Sequence, residues 1–542
     1  MRGRMKSTRF DLLIRNARIV DGAGNPWFHG DLGVRRGRIA AVGRLNGLSA
    51  THEIDARGRV LCPGFIDIHT HSDLPLIIEP GAESKVRQGV TTEVIGLCGI
   101  SAAPLVGEAV DQMRTRLNTY SPPPALDWAT MAEYLKRLER QGLGLNCVPL
   151  VGHGALRASA MGMRSGAPTP AEMDAMKKLL RQAMSEGAWG MSTGLIYPPG
   201  CYSDTEELIE LARQVAALGG LYFTHARGDD PGEDSGIHEA IRISREARVP
   251  SHVAHLHGVV RHADLISQAR RDGLDVTFDQ YPYTAGSGPM KTLIPAWAHD
   301  GGSVALVVRL KDADTLARIR AEMAPTLQDA KTAIGRRAWQ DIVVCNVITQ
   351  ANKAFEGKTL AAIAEARSLT PFDALVALLI EEKAEARMIV FGQSEDGVRA
   401  VMKHPAYMVG SDGSALCATG PLSAGKPHPR NYGTFPRVLA RYVRELKHLR
   451  LEEAIRQMTS AAASRLRLPG RGLLRPGMAA DLVLFDPDQI ADTATYEDPH
   501  RYPVGIAYVL VNGQIALAEG ERLAVRPGRV LRSTDRRDSV KA

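Results

Sequence analysis

Two histidines one residue apart end an apolar run at residues 63–75, "PGFIDIHTHSDLP". In an extended chain, side chains two residues apart face the same way. His69 and His71 are therefore set side by side. Groups of the same kind end other apolar runs: Cys98 in "TTEVIGLCG", His225 in "GLYFTHARG", His255 in "SHVAHLHG" and Asp412 in "YMVGSDGS". Imidazoles, a thiolate and a carboxylate suit zinc better than magnesium or calcium. Cys98, His225 and His255 form a three-ligand set that leaves a position open for water. His69, His71 and Asp412 supply either a second, weaker site or the groups that orient that water. Each has an ordinary alternative: a solvated strand end for a histidine, a buried thiol in a glycine turn for Cys98, a helix N-cap for Asp412.

Their convergence depends on the elements that carry them. Eight strand-like runs can be read: "GFIDIHT", "TTEVIGLC", "NCVPLVGH", "WGMSTGL", "GLYFTH", "SHVAHLH", "LDVTFDQ" and "YMVGSD". Between several lie helical stretches such as "PAEMDAMKKLLRQAMSEG" and "DTEELIELARQVAALGG". This alternation predicts parallel strands with crossover helices, hence an α/β fold with a closed (β/α)8 TIM-type barrel; a doubly wound open sheet is the alternative. In such a barrel the C-terminal strand ends meet at one mouth, where active sites are built. Six ligand-type residues at those ends read as a metal site.

Short apolar runs and turn residues mark residues 1–62, and the pattern returns over 471–542, which ends in a basic tail. The two ends are expected to build one small β-sandwich-like domain, with the barrel spanning 63–470. Between the seventh and eighth strands lie about 125 residues, too many for one helix. Within them, residues 285–350 are expected to form an inserted lid subdomain at the barrel mouth.

The 542-residue chain is 44% hydrophobic and 23% charged, a soluble globular balance, and no 18-residue apolar span occurs. Six scattered cysteines, at 62, 98, 147, 201, 345 and 417, without a CxxC pair argue against a disulfide framework. With no signal-peptide core at the N-terminus, a cytoplasmic protein is expected. The net charge is +7, but aromatics are only 5% and no basic stripe interleaves with them. Neither nucleic acid nor membrane is expected as a partner. The charge favours small anionic substrates instead.

With these residues in order, the chain resembles the N-acyl-D-amino-acid deacylases (D-aminoacylases) of the amidohydrolase superfamily. The resemblance spans nearly the whole chain. It rests on "DGAGNPWFHGDLGVRRGRIAAVG", "PGFIDIHTHSD", "GLCGISAAP", "VGHGALR", "GAWGMSTGLIYPPG", "DVTFDQYPYTAG", "VGSDGSA", "HPRNYGTFPRVLARYVRE" and "GLLRPGMAADLVLFDP". It implies hydrolysis of N-acyl-D-amino acids. It also implies one tight zinc on Cys98, His225 and His255, a second, weaker metal position at His69, His71 and Asp412, and Asp412 as the proton-transferring group. A linear or cyclic amide of another kind and a non-catalytic binding homologue are the alternatives.

Arg430, Tyr283, Ser287 and His257 are candidates to hold the substrate, Arg430 by pairing with its carboxylate. Three departures from the family pattern stand out. Leu97 replaces an asparagine, His257 replaces a lysine, and "THARGDD" differs just after its arginine. A neutral imidazole at 257 in place of a fixed cation implies weaker attraction to acidic substrates.

Overall fold

The computed structural model describes residues 9–228, 234–328 and 338–535. Both chain ends build one nine-stranded sheet. Strand Phe10–Ile19 pairs in parallel with Val60–Pro63, which pairs antiparallel with Leu482–Phe485 from the far end of the chain. Alternation along Leu482–Phe485 explains its position. Leu482 and Leu484 enter the small domain's own core with Leu12, Ile14 and Leu32, while Val483 and Phe485 face the large core shared with the barrel.

The eight strands of the central unit are Phe65–Asp67, Val90–Ile95, Asn146–Pro149 continued by Val151–Gly152, Gly190–Gly194, Leu221–His225, Ser251–Val253, Val276–Gln280 and Tyr407–Val409. All their pairings are parallel. The barrel closes between first and last strands, where Thr70 bridges Gly413 and Asp412 N–H donates to His69 O at 2.9 Å. The closed barrel, not the open sheet, is what forms. Its crossover helices follow from local sequence. Helix Pro170–Ser185 opens on a capping box between Thr169 and Glu172 with proline in its first turn. It buries Met173, Met176, Leu180 and Ala183, one stripe at helical spacing.

The insertion is larger than the sequence reading placed it. Strands Ala285–Pro289, Arg387–Phe391 and Ile342–Asn346 form their own antiparallel sheet, so the subdomain reaches Phe391 rather than ending near 350. Helices Leu360–Ala366 and Pro371–Glu381 close its separate core with Met290, Leu306 and Leu310. An apolar helix does not announce which core it joins, and these two read equally well as barrel crossovers. Part of the predicted lid, residues 329–337, lies outside the described residues, as does the end of the basic tail after 535. The described part of the tail leaves the β-domain and lines the barrel. Cys147 N–H donates to Arg529 O at 2.9 Å, and Arg532 pairs with Glu139 at 2.8 Å. Among the described residues no helix is long and apolar enough to cross a membrane.

Charges are buried beneath the barrel mouth. Lys85, fully buried, pairs with Asp67 at 2.8 Å. Beside them Glu93, on the second strand, accepts a hydrogen bond from Ser72 at 2.9 Å, and burial pushes its carboxyl up to about 7. An unfolded chain ionises there near ~4.3, so it binds fewer protons than the folded chain between that value and about 7. Stability therefore falls as pH rises through that window. Replacing Glu93→Gln removes the loss: above neutrality the variant should be more stable than the parent by about 3 kcal/mol. Below pH ~4 the difference should vanish. Urea unfolding across this range measures it, and a pH-independent difference would refute the assignment.

Candidate metal and catalytic site

Four donors converge at the barrel mouth. The ligand-type atoms of His69, Cys98, His255 and Asp412 all lie within 4.8 Å of one another, and all four residues are buried. Cys98 Sγ is 3.3 Å from His69 Nε2 and 3.7 Å from His255 Nε2. His69 Nε2 is also 3.4 Å from Asp412 Oδ1. His225 stands beside this group: its ring centroid is 4.2 Å from that of His255, and it helps to hold the Cys98 thiol ionised. His71 lies at the rim, 29% exposed, with Nε2 2.9 Å from Asp412 Oδ1.

The backbone is strained where these groups are presented. Cys98, His255, His257 and Asp412 all have positive φ, at 51°, 32°, 56° and 49°. Such conformations cost L-residues about 1–3 kcal/mol each and cluster at functional sites. They turn the strand ends so that the side chains point across the mouth.

Electrostatics fix the ionisation of the group. Burial opposes a charge on Cys98, but the imidazoles of His69, His225 and His255 outweigh it and hold the thiol well below its ordinary range. Burial likewise opposes the charge on Asp412, and Arg430, His69, His71 and His255 keep it a carboxylate. His255 is pushed up to about 9, since its hydrogen bond to Cys98 and the charge of Asp412 overcome its burial. A donor set of acidified thiolate, imidazoles and carboxylate in one small space fits a zinc ion.

Two residues that the sequence reading did not single out hold the site from below. Asp279 Oδ2 lies 3.1 Å from His69 Nδ1 and 3.0 Å from His252 Nε2, while Oδ1 accepts the His255 N–H at 3.0 Å. Burial opposes its charge, but His69 and His252 keep it ionised. His252 Nδ1 in turn lies 2.7 Å from Thr277 Oγ1. This chain turns His69 Nε2 toward Cys98, the role carboxylates play behind metal-bound histidines. The signal was present: Asp279 ends the seventh strand, as the ligands end theirs.

The predicted substrate residues are placed differently from one another. Arg430 is buried, 2.8 Å from Asp412 Oδ2, and lies over the Tyr281 ring at 4.9 Å. Its Nη2 donates to Ser287 O at 3.3 Å, and its Nε has no acceptor among the described residues. Ser287 spends its own hydroxyl on Met388 O at 2.9 Å. The His257 ring stacks on His255, centroids 4.8 Å apart and planes 7° apart. Tyr283 is buried under Arg437 with its edge to His428. Tyr197, from the "STGLIYPPG" loop, lies edge-on to His225 at 5.1 Å. Leu97 packs inside the barrel core. In "THARGDD", Arg227 holds Cys201 O and Ser203 O at 2.8 Å each, and Asp229 and Asp230 lie outside the described residues.

The acidified thiol gives a direct test on metal-free protein. A folded value held below the unfolded one means the thiolate is present above it and is lost only as pH falls through it. The ultraviolet thiolate absorbance that separates the parent from Cys98→Ala should persist at neutral pH and below. Loss of that difference near ~8.5, where a free thiol titrates, would show that the imidazoles do not act on the sulfur.

Comparison with known proteins agrees with this architecture. Residues 52–517 match the amidohydrolase family. The chain is 35% identical to D-aminoacylase of Alcaligenes xylosoxydans xylosoxydans, covering 97% of this chain and 99% of that protein. It is 37% identical to N-acyl-D-aspartate deacylase of the same organism, covering 97% and 95%. The crystal structure of N-acyl-D-glutamate deacylase from Bordetella bronchiseptica, complexed with zinc and a phosphonate mimic of the tetrahedral intermediate, superposes with a TM-score of 0.80 at 35% identity over 97% of this chain and all of that one. The chain thus belongs to the N-acyl-D-amino-acid deacylase (D-aminoacylase) family of the amidohydrolase superfamily.

Proposed function

We propose that the protein is a cytoplasmic, zinc-dependent hydrolase of small N-acyl-D-amino acids, releasing a carboxylate and the free D-amino acid. The convergence of His69, Cys98, His255 and Asp412 at the barrel mouth, in a chain of this family, carries the reading. Cys98, His225 and His255 would hold one zinc tightly. His69 and His71, with Asp412, would hold a second more weakly. Zinc held there supplies Lewis acidity, drawing the pKa of a bound water toward ~7 and polarising a carbonyl.

The chain's own residues do the rest. Asp412, kept ionised beside Arg430, accepts the proton of the attacking water at Oδ1, the oxygen facing His69 and His71. It then returns that proton to the leaving nitrogen, so that the C–N bond breaks to give a neutral amine. Arg430, a buried guanidinium with donor capacity at Nε, pairs with the α-carboxylate and fixes the amide beside Asp412. Asp279 keeps His69 in the tautomer that presents Nε2. Three variants and a substrate panel test this.

Cys98→Ala should lose the tight zinc and all activity, measured by metal analysis and amine release; near-normal zinc in that variant would sink the ligand assignment. Asp412→Ala should keep the tight zinc but lower kcat by ~10²–10⁴-fold, the scale of a lost general acid–base group. Asp279→Asn should weaken the second zinc, the one held by His69, by ~10–100-fold while the tight zinc on Cys98 stays. On the panel, N-acyl-D substrates should release amine and their L counterparts should not. Because His257 stacks on His255 and brings no fixed cation, N-acetyl-D-leucine and N-acetyl-D-phenylalanine should exceed N-acetyl-D-glutamate in kcat/KM. A clear preference for the acidic substrate would overturn the reading of His257.

A further inference from the structure

A cavity of about 250 Å³ opens on Cys98 and runs out to the inserted subdomain. Its inner end is formed by Cys98, Gly99, Gly194 and Tyr197; Asp412 and Arg430, across the site, are not part of its wall. Its wall is more apolar than polar, with Gln112, Thr115, Arg116, His299 and Arg387 among its polar groups. Leu105, Ala109 and Met113 come from the loop and helix after the second barrel strand, and Met163 follows the helix His153–Met161 after the third. Ala109 and Met113, four apart on helix Glu108–Leu117, present one face. At the outer mouth Lys291 pairs with Glu385 at 3.2 Å, both from the inserted subdomain.

Resting on the reading of the protein as an N-acyl amino acid deacylase, we propose that this cavity receives the acyl chain and that the preferred acyl group is a linear aliphatic one longer than acetyl. The group that returns the proton must stand beside the leaving nitrogen. The amino-acid half of the substrate therefore lies on the Asp412–Arg430 side, and the acyl half extends the opposite way, past Cys98 and Tyr197 into the apolar channel. At about 250 Å³ the cavity has room for an aliphatic chain well beyond an acetyl group. Each buried methylene raises kcat/KM by up to about fourfold, the equivalent of ~0.8 kcal/mol. The gain ends where the chain meets the charged rim of Lys291 and Glu385.

The test is a series of acetyl, butanoyl, octanoyl and dodecanoyl D-alanine on the zinc-loaded protein. The value of kcat/KM should rise at least tenfold from acetyl to octanoyl and then level off; a flat or falling series overturns the proposal. Ala155→Phe, at a half-buried position on the cavity wall, should cut the octanoyl-to-acetyl ratio tenfold or more. Should that variant fail to fold, Met163→Ala should shift the optimum to longer chains. If either variant instead changes the ratio of N-acetyl-D-phenylalanine to N-acetyl-D-alanine and leaves the chain-length profile alone, the cavity holds the amino-acid side chain and the proposal is wrong. Calorimetric titration with octanoate and acetate separates the two readings. Octanoate binding ten times tighter than acetate, with no hydrolysis of any N-acyl-D-amino acid, would keep the acyl cavity and remove the proposed activity. Octanoate binding no tighter than acetate would remove the cavity assignment whatever the activity.

Discussion

The sulfur of Cys98, a residue 2% exposed, made anionic by the imidazoles around it, is the constraint to which the rest of the site answers. An ionised group in such surroundings is costly unless paired and hydrogen-bonded. Cys98 meets that requirement through His69 at 3.3 Å and His255 at 3.7 Å, with His225 at its side. Each imidazole needs a partner of its own. His69 takes Asp279, and the His255 backbone N–H donates to the same carboxylate. Asp412 balances the cationic side of the cluster, and Arg430 balances Asp412. Charges therefore alternate from the barrel interior to the mouth, and no member of the chain can be removed without stranding its neighbour.

The same constraint explains where glycine is required. A side chain at Gly410 would meet Asp279 Oδ1 at 2.8 Å and His69 Cβ at 2.9 Å. One at Gly194 would meet the Cys98 carbonyl at 2.1 Å. Close approach of the strand ends at these two positions lets ligands from the first, second and eighth strands share one small space. Together with the positive φ of Cys98, His255 and Asp412, it means the cluster is preorganised by the barrel backbone.

Much of this was legible in the chain because a (β/α)8 barrel collects its strand ends regardless of sequence separation. His69 and Asp412 are 343 positions apart in the chain yet adjacent in space. Once eight runs are counted, ligand-type residues at their ends must meet. What escaped was whatever depends on which surface packs on which. Asp279 in "VTFDQ" was passed over, because nothing local reveals that its carboxylate meets both His252 on the neighbouring strand and His69 at the end of the first strand. The reach of the insertion to Phe391 escaped because helix Pro371–Glu381 is apolar enough for either core. The C-terminal tail read only as basic, whereas its Arg532 pairs with Glu139 and its Arg526 donates to Gln141 O.

These two kinds of information map onto two parts of the molecule with different freedom to change. The reactive groups sit on barrel strand ends, where a shift of one side chain disturbs a charge on the next. The outer wall of the substrate channel belongs to the inserted subdomain, whose sheet and core are its own. Lys291 and Glu385 there pair with each other and share no hydrogen bond with the Cys98 cluster. Only the outer rim of the channel rests on the separate core of the inserted subdomain, because its apolar wall from Leu105, Ala109 and Met113 belongs to the core of the barrel.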